Sequence, residues 1–112
     1  MKIAITSEKK GLRSKFDLRF GRAGWFCIYD TENGEIIFTE NENKDANGGA
    51  GTKTAEKMAE LNVSQIISGD FGPKAKALLE KFKIQMVILD EGNKTINEII
   101  ERLKNKSTIN SN

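Results

Sequence analysis

Histidine is absent from the 112 residues, and cysteine, proline, tryptophan and tyrosine occur once each. Without histidine the chain can build neither a Ser-His-Asp nor a Cys-His catalytic set, and no His-ligated metal site. A single cysteine excludes an intrachain disulfide framework and fits a reducing, cytoplasmic compartment. Long apolar runs are also missing. None approaches the ~20 residues of a membrane span, and the opening Met1-Lys2-Ile3-Ala4-Ile5-Thr6 turns polar too soon for a secretory leader. Charge of one sign is not in excess: 18 Lys and Arg against 16 Asp and Glu leave +2, which does not suggest a general nucleic-acid binder.

What remains is a globular composition, 38% hydrophobic and 30% charged. A chain of this length buries roughly 65% of its unfolded surface, enough for one core. The expected organisation is one α/β domain over residues 1–104 and a disordered polar tail over 105–112. Ile3-Ala4-Ile5-Thr6 reads as a buried strand. Trp25-Phe26-Cys27-Ile28-Tyr29 and Glu35-Ile36-Ile37-Phe38-Thr39 read as a hairpin around Asn33-Gly34. Helical spacing begins at Thr52 with Ala55, Met58 and Ala59. A fourth strand follows at Val63 and Ile66-Ile67. Pro73 suits the first position of a helix whose apolar face is Ala75, Leu78, Leu79 and Phe82. Met86–Leu89 is a fifth strand. Thr95 and Glu98 form a capping box before the face Ile96, Ile99, Ile100 and Leu103.

The order β-β-β-α-β-α-β-α predicts a mixed five-stranded sheet between helices. A right-handed crossover places the fourth strand beside the first, giving 3-2-1-4-5 with strand two antiparallel. That is a three-layer architecture with a ribonuclease-H-like motif. Strands one, three, four and five then end at one edge. The loops expected there are Arg19–Gly24, Gly48–Gly51, Ser68–Pro73 and Asp90–Asn93. Ligands of open α/β sheets bind at such an edge, and helix N-termini there favour anions.

Arg19-Phe20-Gly21-Arg22 puts two guanidinium forks around a glycine, a pattern suited to anionic oxygens; a solvated turn is the bland alternative. Gly48, Gly49 and Gly51 lack the Gly-Lys-Ser/Thr of a P-loop, which leaves a flexible hinge or a backbone anion cradle. Gly69, Asp70 and Gly72 read either as turn chemistry or as accessible amides at a helix start, where Asp70 could hold a cation or orient an arginine. Lys53 and Lys74 add positive charge. Cys27, mid-strand, reads first as a core residue and only second as a metal ligand. Nuclease chemistry fails on carboxylates: the first strand has no acid, and Asp70 with Asp90 are too few for a two-metal site.

Met1-Lys2-Ile3-Ala4-Ile5, Asp17-Leu18-Arg19-Phe20-Gly21-Arg22-Ala23, Phe26–Asp30, Gly48-Gly49-Ala50-Gly51 and Ser68-Gly69-Asp70-Phe71-Gly72-Pro73-Lys74-Ala75 occur in this order and spacing. Together they resemble the dinitrogenase iron-molybdenum cofactor biosynthesis family, over the chain to about Leu103. The resemblance implies the ribonuclease-H-like fold. It further implies a non-enzymatic accessory or carrier protein that binds an anionic iron-sulfur or iron-molybdenum cofactor precursor and has a protein partner in cofactor assembly. A regulatory or scaffold module for another anionic small molecule or protein is the alternative. Many family members carry histidine where this chain has Arg19, so the loop keeps its charge but lacks that ligand.

On the sequence alone, Arg22→Ala weakens anion binding and leaves global stability within about ±0.5 kcal/mol, as for a surface change. Parallel binding and thermal-melting measurements check this.

Overall fold

Alternating apolar residues in the first two strands send neighbouring side chains to opposite faces, so a sheet built from them needs cover on both sides. The computed structural model describes residues 1–110, with side chains described through 105. Its elements are β1 (Lys2–Ser7), β2 (Trp25–Asp30), β3 (Ile36–Glu40), α1 (Ala50–Glu60), β4 (Gln65–Ser68), α2 (Pro73–Lys81), β5 (Gln85–Ile88) and α3 (Ile96–Asn110). The sheet order is β3-β2-β1-β4-β5. β2 is antiparallel to both neighbours, while β1–β4 and β4–β5 are parallel. This is the expected three-layer, mixed α/β arrangement.

One face buries Ala4, Phe26, Ile28 and Ile66 against Ala55 and Met58 of α1 and Ala75 and Leu79 of α2. The other buries Ile3, Ile5, Cys27, Tyr29 and Ile67 against Ile96, Ile99 and Ile100 of α3. Each large apolar side chain so buried contributes about 1.5–3 kcal/mol.

Element ends differ from the sequence reading for local reasons. α1 starts at Ala50, two residues early, because Gly49 adopts φ 71° and turns the chain straight into the helix. Glycine tolerates that left-handed conformation without the Cβ penalty. The expected fourth strand loses Val63 to the helix exit: Asn62 takes φ 59°, and the Val63 N–H donates to the Met58 carbonyl at 3.1 Å. α2 closes the same way, with Lys83 at φ 61° and the Ile84 N–H on the Leu79 carbonyl. Both exits are Schellman-type turns that deliver a buried residue, Val63 or Ile84, into the core. Loop 8–15 is mostly exposed. Phe16 beyond it bridges back to Ser7 and is buried. α3 runs over much of the stretch expected as a tail, and residues 111–112 lie outside the described residues.

Cys27 is fully buried, and burial pushes its thiol from 9.0 up to about 12. The folded value lies above the unfolded one, so the neutral thiol favours folding at lower pH. That contribution falls away as pH rises from about 9 through about 12. Urea denaturation across this window should show a loss of stability in the native chain that is smaller in Cys27→Ala.

Candidate anion-binding groove

The loop after β1 is held from below. The Asp17 N–H donates to the Thr6 carbonyl, and the Thr6 hydroxyl donates to the Asp17 carbonyl. Asp17, its side chain only 4% exposed, accepts from Arg19 Nε and Nη2, each at 3.0 Å, and from the Arg19 amide. This fork–fork pair fixes the guanidinium in direction, and the Asp17 hydrogen bond followed by its charge holds the Arg19 pKa above its ordinary value. The next residue turns inward. Phe20 is buried, edge-on to Phe26 at 6.1 Å and tilted on Phe71 at 5.2 Å between centroids. Ala23 is also buried. The loop is therefore a pinned structure with alternate residues inside, which argues against a freely solvated turn.

Two further constraints place it. A Cβ on Gly21 would lie 2.8 Å from the Gly51 nitrogen and 2.9 Å from its Cα, so the loop backbone rests directly on the first turn of α1. Asn41 stitches the other side. It is buried, its Nδ2 donates to the Gly21 and Ala23 carbonyls at 2.9 Å each, and its amide donates to the Gly24 carbonyl. Asn41 stands in the polar run 40–47, which is without an apolar residue except Ala46. A lone asparagine carries no periodic signal, so only its contacts reveal it.

The helices arriving at this edge are finished in two ways. α3 has the expected capping box: the Glu98 amide donates to Thr95 Oγ1 at 3.2 Å, and the Thr95 amide donates to Glu98 Oε1 at 3.0 Å. α1 and α2 begin at Gly49 and Gly72, with no side-chain cap and no acid in the first turn. Their leading N–H groups have no intrahelical acceptor, and their dipoles present positive ends. The two starts lie side by side, since a Cβ on Gly51 would meet the Ala75 Cβ at 3.2 Å.

Arg19, Gly21, Arg22, Gly49, Gly51, Asp70 and Gly72 line one cavity of about 350 Å³, with Phe20 and Ala50. It continues across Gly49, Gly51 and Gly72 into a space of about 280 Å³ that adds Thr52, Pro73 and Lys74. Through Arg19 and Arg22 it meets a third, of about 540 Å³, walled also by Glu8, Asp17, Lys44 and Asp45. Three expected residues stand elsewhere. Gly69 backs onto Leu18, where a Cβ would meet the Leu18 carbonyl oxygen at 2.7 Å, so its role is close packing. Gly48 supplies a positive φ of 85° to the turn before α1. Lys53 is exposed on the first turn of α1 and lines none of these cavities. The Asp90–Asn93 turn reaches the same edge, with Gly92 packed against Leu18, but lines none of these cavities.

Among the described residues no group of three His, Cys, Asp or Glu could hold a metal ion. Cys27 lies on the α3 side of the sheet, protonated, and does not line the groove. The groove's donors are backbone amides, two guanidinium groups and the Lys74 ammonium; its one acid is Asp70. Such a set fits an anion held by hydrogen bonds and charge, and offers no sulfur or imidazole for ligation.

A family described as dinitrogenase iron-molybdenum cofactor matches residues 1–106. An uncharacterized protein of Methanocaldococcus jannaschii is 37% identical over 89 residues, 77% of this chain and 72% of that one. Among solved structures, the apo form of the orange protein from Desulfovibrio gigas superposes with a TM-score of 0.85 at 28% identity, covering 94% of this chain and 88% of that one. A putative NifB protein from Thermotoga does so with 0.78 at 32%, covering 93% and 87%.

Gly21→Ala should cost about 1–3 kcal/mol in urea denaturation, because the new Cβ meets backbone that cannot step aside. At Gly72, with φ −62° and nothing within 4 Å of a Cβ, alanine should change stability by no more than about 0.5 kcal/mol.

Proposed function

The chain belongs to the dinitrogenase iron-molybdenum cofactor family, and from that premise we propose that it is a non-enzymatic accessory protein that carries an anionic iron-sulfur or iron-molybdenum cofactor precursor in the groove. Family membership supports a cofactor-related accessory role; the chemistry of the groove supports the kind of cargo. The observation that carries the reading is the pair of bare helix starts at Gly49 and Gly72, opening on one cavity beside Arg19 and Arg22. Helix N-termini are ordinarily stabilised by a capping side chain or an early acid. α3 has both, whereas α1 and α2 have neither. An anion lodged between them supplies the missing negative charge to two dipoles at once.

Metal-sulfur precursors that already carry their own sulfide or oxo ligands are anions of this kind. Their outward sulfur and oxygen atoms accept from N–H donors, so no protein thiolate is required. Cargo held this way can be passed on without breaking a metal–protein bond. The partner that delivers or receives it would belong to cofactor assembly. No acid, base or nucleophile set lines the groove, in keeping with carriage in place of catalysis.

Anaerobic titration with tetrathiomolybdate and with a reconstituted iron-sulfide precursor, followed by gel filtration and metal analysis, tests the reading. The folded protein should retain metal with its visible absorbance perturbed. Gly72→Ala, which adds a methyl group at the bare start of α2, and Lys74→Gln should each weaken retention by about tenfold. Rising salt should weaken it further. A folded protein that retains no metal, yet shows amide shifts at Arg19–Gly24 and Gly69–Pro73 with nucleotides or phosphate, would replace it with a regulatory module for another small anion.

A further inference from the structure

Residues 41–49 form a strap along one side of the groove, and three features describe how it is held. At its start Asn41 is buried and bonded to three carbonyls of the loop 21–24. At its end Gly48 and Gly49 both take positive φ, 85° and 71°, with nothing within 4 Å of where a Cβ would stand. Between these points, among the described residues, one side chain hydrogen-bonds the strap to the rest of the site. Arg22 Nη1 donates to the Lys44 carbonyl at 2.7 Å and to the Ala46 carbonyl at 2.9 Å. Within the strap itself only the amides of Asn43, Lys44, Ala46 and Gly48 find acceptors, each no more than three residues away.

Arg22 is therefore not simply a cation awaiting a ligand. One of its nitrogens grips the strap, while Nε and Nη2 have no hydrogen-bond partner among the described residues. The same side chain lines both the cavity between the helix starts and the larger one walled by Lys44 and Asp45. A guanidinium is planar and rigid, so groups bound on two of its edges are fixed relative to each other. Arg19 has no such freedom, because its Nε and Nη2 are already taken by Asp17.

We propose that the strap is the movable wall of the groove and that Arg22 is its clasp: an anion engaging Arg22 Nε and Nη2, while Nη1 stays on the Lys44 and Ala46 carbonyls, closes the strap over the bound cargo. The anchor at Asn41 and the glycine pair at 48–49 are the points about which it swings. Binding and strap order are then linked, each favouring the other. Release of cargo requires the Nη1 bonds to break, which a partner protein touching the strap could bring about. This inference rests on the groove being the ligand site, but its first measurement does not.

That measurement is hydrogen exchange at the Lys44, Ala46 and Gly48 amides in ligand-free protein. In Arg22→Ala these should exchange about tenfold faster than in the native chain, with β1 and β4 unchanged. Equal rates in the two proteins would overturn the clasp. The second measurement adds saturating tetrathiomolybdate. Strap exchange should slow further in the native chain, by about tenfold or more, and should not slow in Arg22→Ala even where metal is retained. Unchanged or faster strap exchange on binding would overturn the closing wall. Should tetrathiomolybdate fail to bind either protein, the closing wall falls for that anion, the cargo reading is decided by the iron-sulfide precursor, and the ligand-free comparison still decides the clasp.

Discussion

The groove exists because two glycine backbones touch. Gly21 lies on the first turn of α1 at Gly51, at a distance that leaves no room for a side chain on the loop. That contact sets the height of the loop above the sheet edge. It brings Arg19 and Arg22 to the positive end of α1 and opens the space shared with α2. Phe20 locks the arrangement from inside by filling the core between Phe26 and Phe71. Asp17 and Asn41 hold it from either flank. Burying an aromatic ring is worth a few kcal/mol, ample to offset the cost of crowding two cationic residues beside two helix dipoles.

The contrast among the three helix starts is the most informative electrostatic feature. The same chain that finishes α3 with a reciprocal Thr95–Glu98 box leaves α1 and α2 with glycine caps. Glycine in place of a capping side chain forgoes only about a few tenths of a kcal/mol, so the two bare starts cost the fold little and leave their N–H groups open where the cations gather. At the helix starts Arg19, Arg22 and Lys74 stand against Asp70, with Arg19 paired to Asp17, while at the margin Glu8 and Asp45 balance Lys44, so the positive excess is confined to the two helix starts. Under the proposed function, an anion supplies there the negative charge that the caps do not.

Strand order and layer assignment were legible because they follow from period-two alternation, helical spacing and the handedness of crossovers. So was the convergence of the four loops at one edge, where Gly69 and Gly92 both pack on Leu18, although the Asp90–Asn93 turn stays outside the groove. Helix exits were not: Asn62 and Lys83 adopt left-handed φ where a reader of sequence looks for glycine. The start of α1 was placed late because Ala50-Gly51 reads as loop composition, yet tertiary contact with Gly21 makes it helix. Gly69 reads in sequence either as turn chemistry or as a ligand contact; its backbone packs against Leu18, and a glycine needed for close approach to protein looks in sequence like one needed for close approach to ligand. The Asn41 stitch depends on chain segments meeting in space, and no spacing rule announces it; the Asp17–Arg19 fork is local, an aspartate bonded to the residue two further on, as in Asx turns.

The loop 19–23 also divides its residues by duty. Positions 20, 21 and 23 are committed to the interior or to backbone contact, while 19 and 22 face the groove, together with 70 and 74 from the neighbouring turn. Under the proposed function, substitutions at 22, 70 and 74 bear on the cargo, and substitutions at the first set disturb the architecture whatever the cargo. Position 19 serves both duties, because its guanidinium is also the partner of the buried Asp17 carboxylate. A protein built this way can be retuned at a few side chains on a fixed frame, with the residue at 19 constrained by the acid beneath it.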